Sequence, residues 1–177
     1  MKIIDLVWIG ALSFAAATGW AQNAAPTDPQ IAAIVVTANQ VDIDAGELAK
    51  TKTQSTVVKK FAEQMVVDHS GVNQSALTLV RKLNVQPENS ATSESLKQGG
   101  NQNLANLKTL SGAQFDRAYI DHEVAYHQQV LDALDKTLIP NASNAELKAL
   151  LVKVRPAFEA HLQHAKQIQA ELAGAAR

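Results

Sequence analysis

The sequence predicts an all-α protein: an antiparallel four-helix bundle with one long crossover between its second and third helices. Three observations carry this expectation. Apolar residues recur at three- and four-residue spacing over four long stretches. β-Branched clusters such as Ile34-Val35-Val36 fall inside that helical period instead of alternating. The connections are short and marked by capping residues or proline, except for one stretch rich in Asn, Ser, Gln and Gly.

Residues 1–21 read apart from the bundle. Lys2 gives a positive start, Leu6 to Ala17 is apolar or small apart from Ser13, and Gly19-Trp20-Ala21 offers small residues two apart. This is the pattern of a secretory leader cleaved after Ala21. Its apolar stretch of about 12 residues falls short of the ~20 that a bilayer-spanning helix needs. The product is therefore expected outside the cytoplasm, in the periplasm, with no stable insertion in a membrane. Residues 22–30 are assigned to a linker, 31–172 to the bundle and 173–177 to a tail.

Asp28-Pro29 reads as a helix cap followed by proline at the first helical position, opening a first helix over residues 29–52. The second spans residues 55–83 behind a Ser/Thr cap. Residues 84–100, with Pro87, read as a loop holding at most a turn of helix near Ser93 to Lys97. A third helix covers residues 111–138 and stops at Pro140-Asn141. The last is capped by Ser143 or Asn144 and ends near Leu172, before Gly174. Pro156 inside it predicts a kink or a short break, because proline removes one intrahelical bond and crowds the preceding turn.

Composition removes several function classes. There is no cysteine, which excludes a disulfide scaffold, a thiolate nucleophile and sulfur-ligated zinc or iron–sulfur clusters. A net charge of −1 provides no global attraction for nucleic acid. Adjacent basic residues after the leader are confined to pairs such as Lys59-Lys60, too little for a membrane-binding patch. There is no serine nucleophile elbow, phosphate-binding glycine loop or nucleotide fingerprint, so an enzyme ranks below a binding or structural protein.

What stands out is the polar residues on the apolar stripes. At about 100° per residue, His161 fills a gap in the series Leu151, Val154, Phe158, Ala165, Ile168, Leu172. His69 lies roughly 40° from the centre of the second helix's stripe, and Asp42 about as close to the first helix's. The third helix has two stripes. His127 sits in the one formed by Ile120, Val124, Leu131 and Leu134, and His122 in the one formed by Phe115, Tyr119, Tyr126 and Val130. Each helix thus aims at least one ionisable group inward, which costs free energy unless the group is paired or ligated. Imidazole and carboxylate from separate helices suit one zinc, copper or iron ion. The candidate ligands are Asp42, His69, His122 and His161, with Asp68, Asp121, His127 and His164 in reserve. Glu47, Glu63, Glu123 and Glu159 read as solvated helix charges. The competing reading is architectural: an interior Asp–His network that fixes helix register. Asp68 and Asp121 each precede a histidine; too far around the helix to orient their own neighbour, they could hold the histidine of an adjacent helix.

These residues carry a family resemblance. Residues 57–69, ending in Met65-Val66-Val67-Asp68-His69, residues 110–119 running into Asp121-His122, Pro156 with His161-Leu162, and Gly46-Glu47-Leu48-Ala49 are similar to motifs of the exported bacterial proteins catalogued as domain of unknown function 4142 (DUF4142). The resemblance implies a ferritin-like helical bundle outside the cytoplasm and supplies no activity. Where that family usually has Glu in the first helix, this chain has Asp42. A ferroxidase-type di-iron centre needs Glu-x-x-His on two helices. Neither Glu63 nor Glu123 has a histidine three residues on, and Glu159-Ala160-His161 has the wrong spacing.

Overall fold

The computed structural model describes residues 25–174, and all of its regular elements are helical. The predicted leader, residues 1–21, lies outside the described residues, as do residues 22–24 and 175–177. Five long helices are present: α1 Asp28–Lys52, α2 Thr56–Lys82, α3 Ala91–Thr109, α4 Gly112–Ala133 and α6 Ala145–Gly174. A π-helical turn, Leu134–Leu138, and the three-residue α5, Ile139–Asn141, join α4 to α6.

Local chemistry sets most boundaries. Thr27, rather than Asp28, caps α1 through a reciprocal pair with Gln30. The Asp28 carboxylate is drawn away to accept the backbone N–H groups of Ser143 (2.9 Å) and Asn144 (2.8 Å), tying the start of α1 to the start of α6. Ser55 caps α2, and the Asn144 side chain accepts from Glu146 and Leu147 at the head of α6. α2 ends at Asn84, which takes φ 52° while Val85 N–H bonds to Val80 O and Asn84 N–H to Arg81 O, the closing pattern expected of an αL residue.

Two apolar layers fix the topology. At one end Ile31 and Ile34 of α1 meet Ala76 of α2, Leu131 at the end of α4 with Leu134 just beyond it, and Leu151 of α6. At the other, Ala49 of α1 meets Phe61 of α2, Phe115 and Tyr119 of α4, and Ile168 of α6. α1 and α6 therefore run one way and α2 and α4 the other.

This arrangement explains the main departure from expectation. The stretch read as a loop at residues 84–100 is helical from Ala91, and α3 continues to Thr109. Because α2 and α4 are parallel, the chain must travel the bundle's length between them, and 19 helical residues cover about 28 Å. α3 lies on α1, placing Leu96 at the first apolar layer and Leu104 and Leu107 at the second. Gly100 permits the approach: a Cβ there would come within 2.7 Å of the Val41 side chain. Gly46 does the same between α1 and α2, where a Cβ would meet Val66 at 2.9 Å.

Two further expectations needed correction. The helix read over residues 111–138 gives way to the π-turn ahead of Pro140, which has no N–H to continue an α-helical ladder. α6 runs unbroken through Pro156. Both Pro156 and Val152, whose carbonyl loses its partner, are exposed, so water can satisfy that carbonyl without a break.

Candidate metal centre

Between the two apolar layers lies a polar one. α1 contributes Asp42, α2 His69, α4 Glu123 and His127, and α6 His161; each is between 1% and 3% exposed. The three imidazoles form a near-regular triangle, with ring centroids 5.5 Å (His69–His127), 5.3 Å (His69–His161) and 5.4 Å (His127–His161) apart. The Phe158 ring closes one side, stacked on His69 at 5.0 Å. Asp42 Oδ2 lies 3.1 Å from His69 Nε2 and 3.6 Å from His127 Nε2. Two overlapping groups, His69/His127/His161 and Asp42/Glu123/His127, each bring their ligand atoms within 4.8 Å of one another and could hold a metal ion.

The outward nitrogen of every imidazole is engaged. Asn39 Nδ2 donates to Val35 O at 2.7 Å, which leaves Asn39 Oδ1 as the acceptor for His69 Nδ1–H at 2.8 Å. His127 Nδ1–H donates to the Glu123 backbone carbonyl at 3.0 Å, and His161 Nε2–H to the Asp68 carboxylate at 2.9 Å. These acceptors fix the tautomers, so the inward nitrogens, His69 Nε2, His127 Nε2 and His161 Nδ1, carry lone pairs. All three are buried without a hydrogen-bond partner, as are both oxygens of Asp42 and of Glu123. The His69 and His127 lone pairs therefore face Asp42 Oδ2 at 3.1 and 3.6 Å, a repulsive arrangement that a proton or a cation must relieve.

Electrostatics point the same way. Burial raises the Asp42 carboxyl to about 7, and burial together with the Asp42 charge holds Glu123 well above the ordinary carboxyl range. Burial, reinforced by the neighbouring imidazoles, pushes His69 well below 6.5 and His127 down to about 4. His161 is also lowered by burial, with Asp68 opposing. At neutral pH the three histidines are neutral, the form that ligates a metal. A cation among them would offset burial and let the two carboxyls ionise.

Of the sequence-predicted residues, Asp42, His69 and His161 come together here, joined by His127. His122 stands apart, half-buried and stacked 5.5 Å from the Tyr126 ring. At 100° per residue it lies about 140° around α4 from His127, so the two cannot share one interior face. Glu123 corrects the expectation of a solvated charge: it is 1% exposed. Its position was readable as four residues after Tyr119 and four before His127, between the two apolar stripes on which those residues lie. Asp68 holds the histidine of another helix, as its placement allowed. Asp121 instead accepts from Gln169 at 2.7 Å on the exposed flank, and His164 sits half-buried, edge-on to Phe61 at 5.3 Å.

The sequence profile of DUF4142, a domain of unknown function, matches residues 13–168. The chain belongs to the DUF4142 family. Among curated proteins no sequence matches it. Its fold is similar to two crystal structures of another family of unknown function, DUF305. One, from Streptomyces coelicolor and provisionally named a secreted protein, is 12% identical, with a TM-score of 0.67 over 81% of this chain and 92% of that one. The other, a fragment from Deinococcus radiodurans, is 16% identical, with a TM-score of 0.66 over 82% of this chain and 99% of the fragment. At these identities the likeness concerns the fold alone.

Proposed function

We propose that this DUF4142 protein is an exported metal-binding bundle. In this reading α1, α2, α4 and α6 form a ferritin-like core that holds one transition-metal ion through His69, His127 and His161, with Asp42 and Glu123 completing the donor set. One observation carries the reading: all three imidazoles have their outer nitrogen hydrogen-bonded and their inner nitrogen buried without a hydrogen-bond partner, and those of His69 and His127 converge on the Asp42 carboxyl. A purely architectural network would have to satisfy these atoms with carboxyl protons alone, and Asp42 Oδ2 approaches within 3.1 Å of only one inner nitrogen, that of His69. The donors are nitrogen and oxygen without sulfur, which suits zinc, iron or copper(II) and disfavours copper(I). Export rests on the leader pattern of residues 1–21. Among the described residues no helix is long and apolar enough to cross a membrane, which fits the same picture.

Protein purified without an affinity tag, stripped of metal and reconstituted, should take up one ion per chain by mass-spectrometric metal analysis. The His69→Ala and His127→Ala variants should lose that ion, and His122→Ala should keep it. Saturating metal at about 1,000 times Kd should stabilise the wild-type fold by roughly 4 kcal/mol. Folded protein that takes up no stoichiometric ion would overturn the reading.

A further inference from the structure

A cleft of about 1150 Å³ opens beside the polar layer, with Asp42, His69 and His127 among its lining residues. Small-molecule sites occupy roughly 300–1,000 Å³, so this one slightly exceeds the usual range. Ile34, Val35 and Ala38 of α1, Val130 of α4 and Phe158 of α6 line it with apolar surface. α3, the crossover helix, closes it with the small or apolar residues Ser95, Leu96 and Gly99. The π-turn adds Leu134, Thr137 and Leu138, and such turns often occur beside functional sites.

The charge of the lining is selective. Among the described residues no lysine or arginine lines the cleft, and Asp42 is the only acid that does. An anion would find no cationic side chain there, and a divalent ion in the centre would already be balanced by Asp42 and Glu123. A cationic ligand would compete with that ion for Asp42. Among the described lining residues, the fully buried side-chain atoms without partners, Asp42 Oδ1 and Oδ2, His69 Nε2 and His127 Nε2, all belong to the polar layer. A guest would therefore have its polar end at the ion and its apolar body along α1, α3 and α4.

We infer that this cleft binds an uncharged, largely apolar small molecule whose single hydroxyl or carbonyl oxygen points at the ion held by Asp42, His69 and His127. The inference rests on the metal reading above. The probe is 4-propylphenol, compared with 4-propylbenzoate, which has a similar body and a charged head. Calorimetric titration of the zinc-loaded protein should show 4-propylphenol binding and the benzoate at least tenfold weaker. In the cobalt(II)-loaded protein the phenol should shift the visible absorption bands. Ser95→Trp and Ala133→Phe, on the cleft wall and away from the metal ligands, should each weaken the phenol at least tenfold while one ion per chain is retained. Ser95 is exposed on α3, so its variant fills the cleft without disturbing the core. Metal uptake with no phenol binding, equal binding of the benzoate, unshifted cobalt bands or full affinity in both wall variants would overturn the inference and leave the metal reading standing. Failure to take up any ion would overturn both.

Discussion

The Phe61 layer and the His69 layer lie on the same helices, eight residues apart along α2 or about 12 Å, yet they are held together differently. Around Phe61, the side chains of Phe115, Tyr119 and Ile168 are at most 1% exposed and pack through their apolar surfaces, the Tyr119 hydroxyl being a buried polar atom without a partner, with Phe61 edge-on to Tyr119 at 6.2 Å. Burial there is favourable in proportion to area and indifferent to pH or ions. Around His69, burial is just as complete, but the buried atoms are lone pairs and carboxylate oxygens without partners. The first layer accounts for why the helices associate. The second is a cost that the first can support, and it makes sense where a cation enters the balance.

The largest effect should come from the apolar layer. Phe61→Ala should cost about 3–5 kcal/mol, by the same amount with metal and with chelator, as measured by denaturant unfolding. A loss that depended on metal would break the separation between the layers.

Asp42→Asn should act in the opposite direction in the metal-free protein. The Asp42 carboxyl sits at about 7 in the folded state against 3.8 ordinarily, so the folded form holds its proton more tightly. That contribution is complete below pH 3.8 and is lost as pH rises through 7. The variant should therefore be more stable than wild type at pH 8 in chelator, by on the order of 4 kcal/mol. Near pH 4 it should gain little, and at either pH its metal affinity should fall. The histidines have the opposite sign: held below 6.5, they weaken the metal-free fold as pH drops beneath that value. Unfolding curves in chelator across pH 4 to 8 would separate the two groups.

The smallest of the three effects belongs to Asp68, whose side chain is 41% exposed while it holds His161 in orientation. Asp68→Asn should weaken metal binding roughly 10- to 100-fold, about 1.4–2.7 kcal/mol. It should shift the chelator-treated stability by less than about 1 kcal/mol, as expected of a partly solvated pair. An equal loss with and without metal would make Asp68 a structural residue only.

The four bundle helices were legible because their signals are local. Ser55 and Asn144 cap where they stand, and the stripes through Phe61 and Leu151 follow the helical period whatever lies opposite. α3 was not legible: only Ser93, Gly100 and Leu107 are buried along its 19 residues, so its own periodicity is faint and its helix is held by α1 and by the need to span the bundle. The site divided in the same way. Asp42, His69 and His161 lie on or near a single stripe each, whereas α4 has two apolar stripes and periodicity alone cannot rank them.

The sequence by itself determined that the chain is helical, where most of its helices begin, and that ionisable side chains interrupt its apolar faces, because hydrogen-bonded caps and a 3.6-residue period are properties of one segment. Only the tertiary structure decided that His127 and Glu123 face the interior while His122 does not, and that Asp68 reaches His161. Which face of a helix is inside depends on the neighbours that cover it, and no single segment records those.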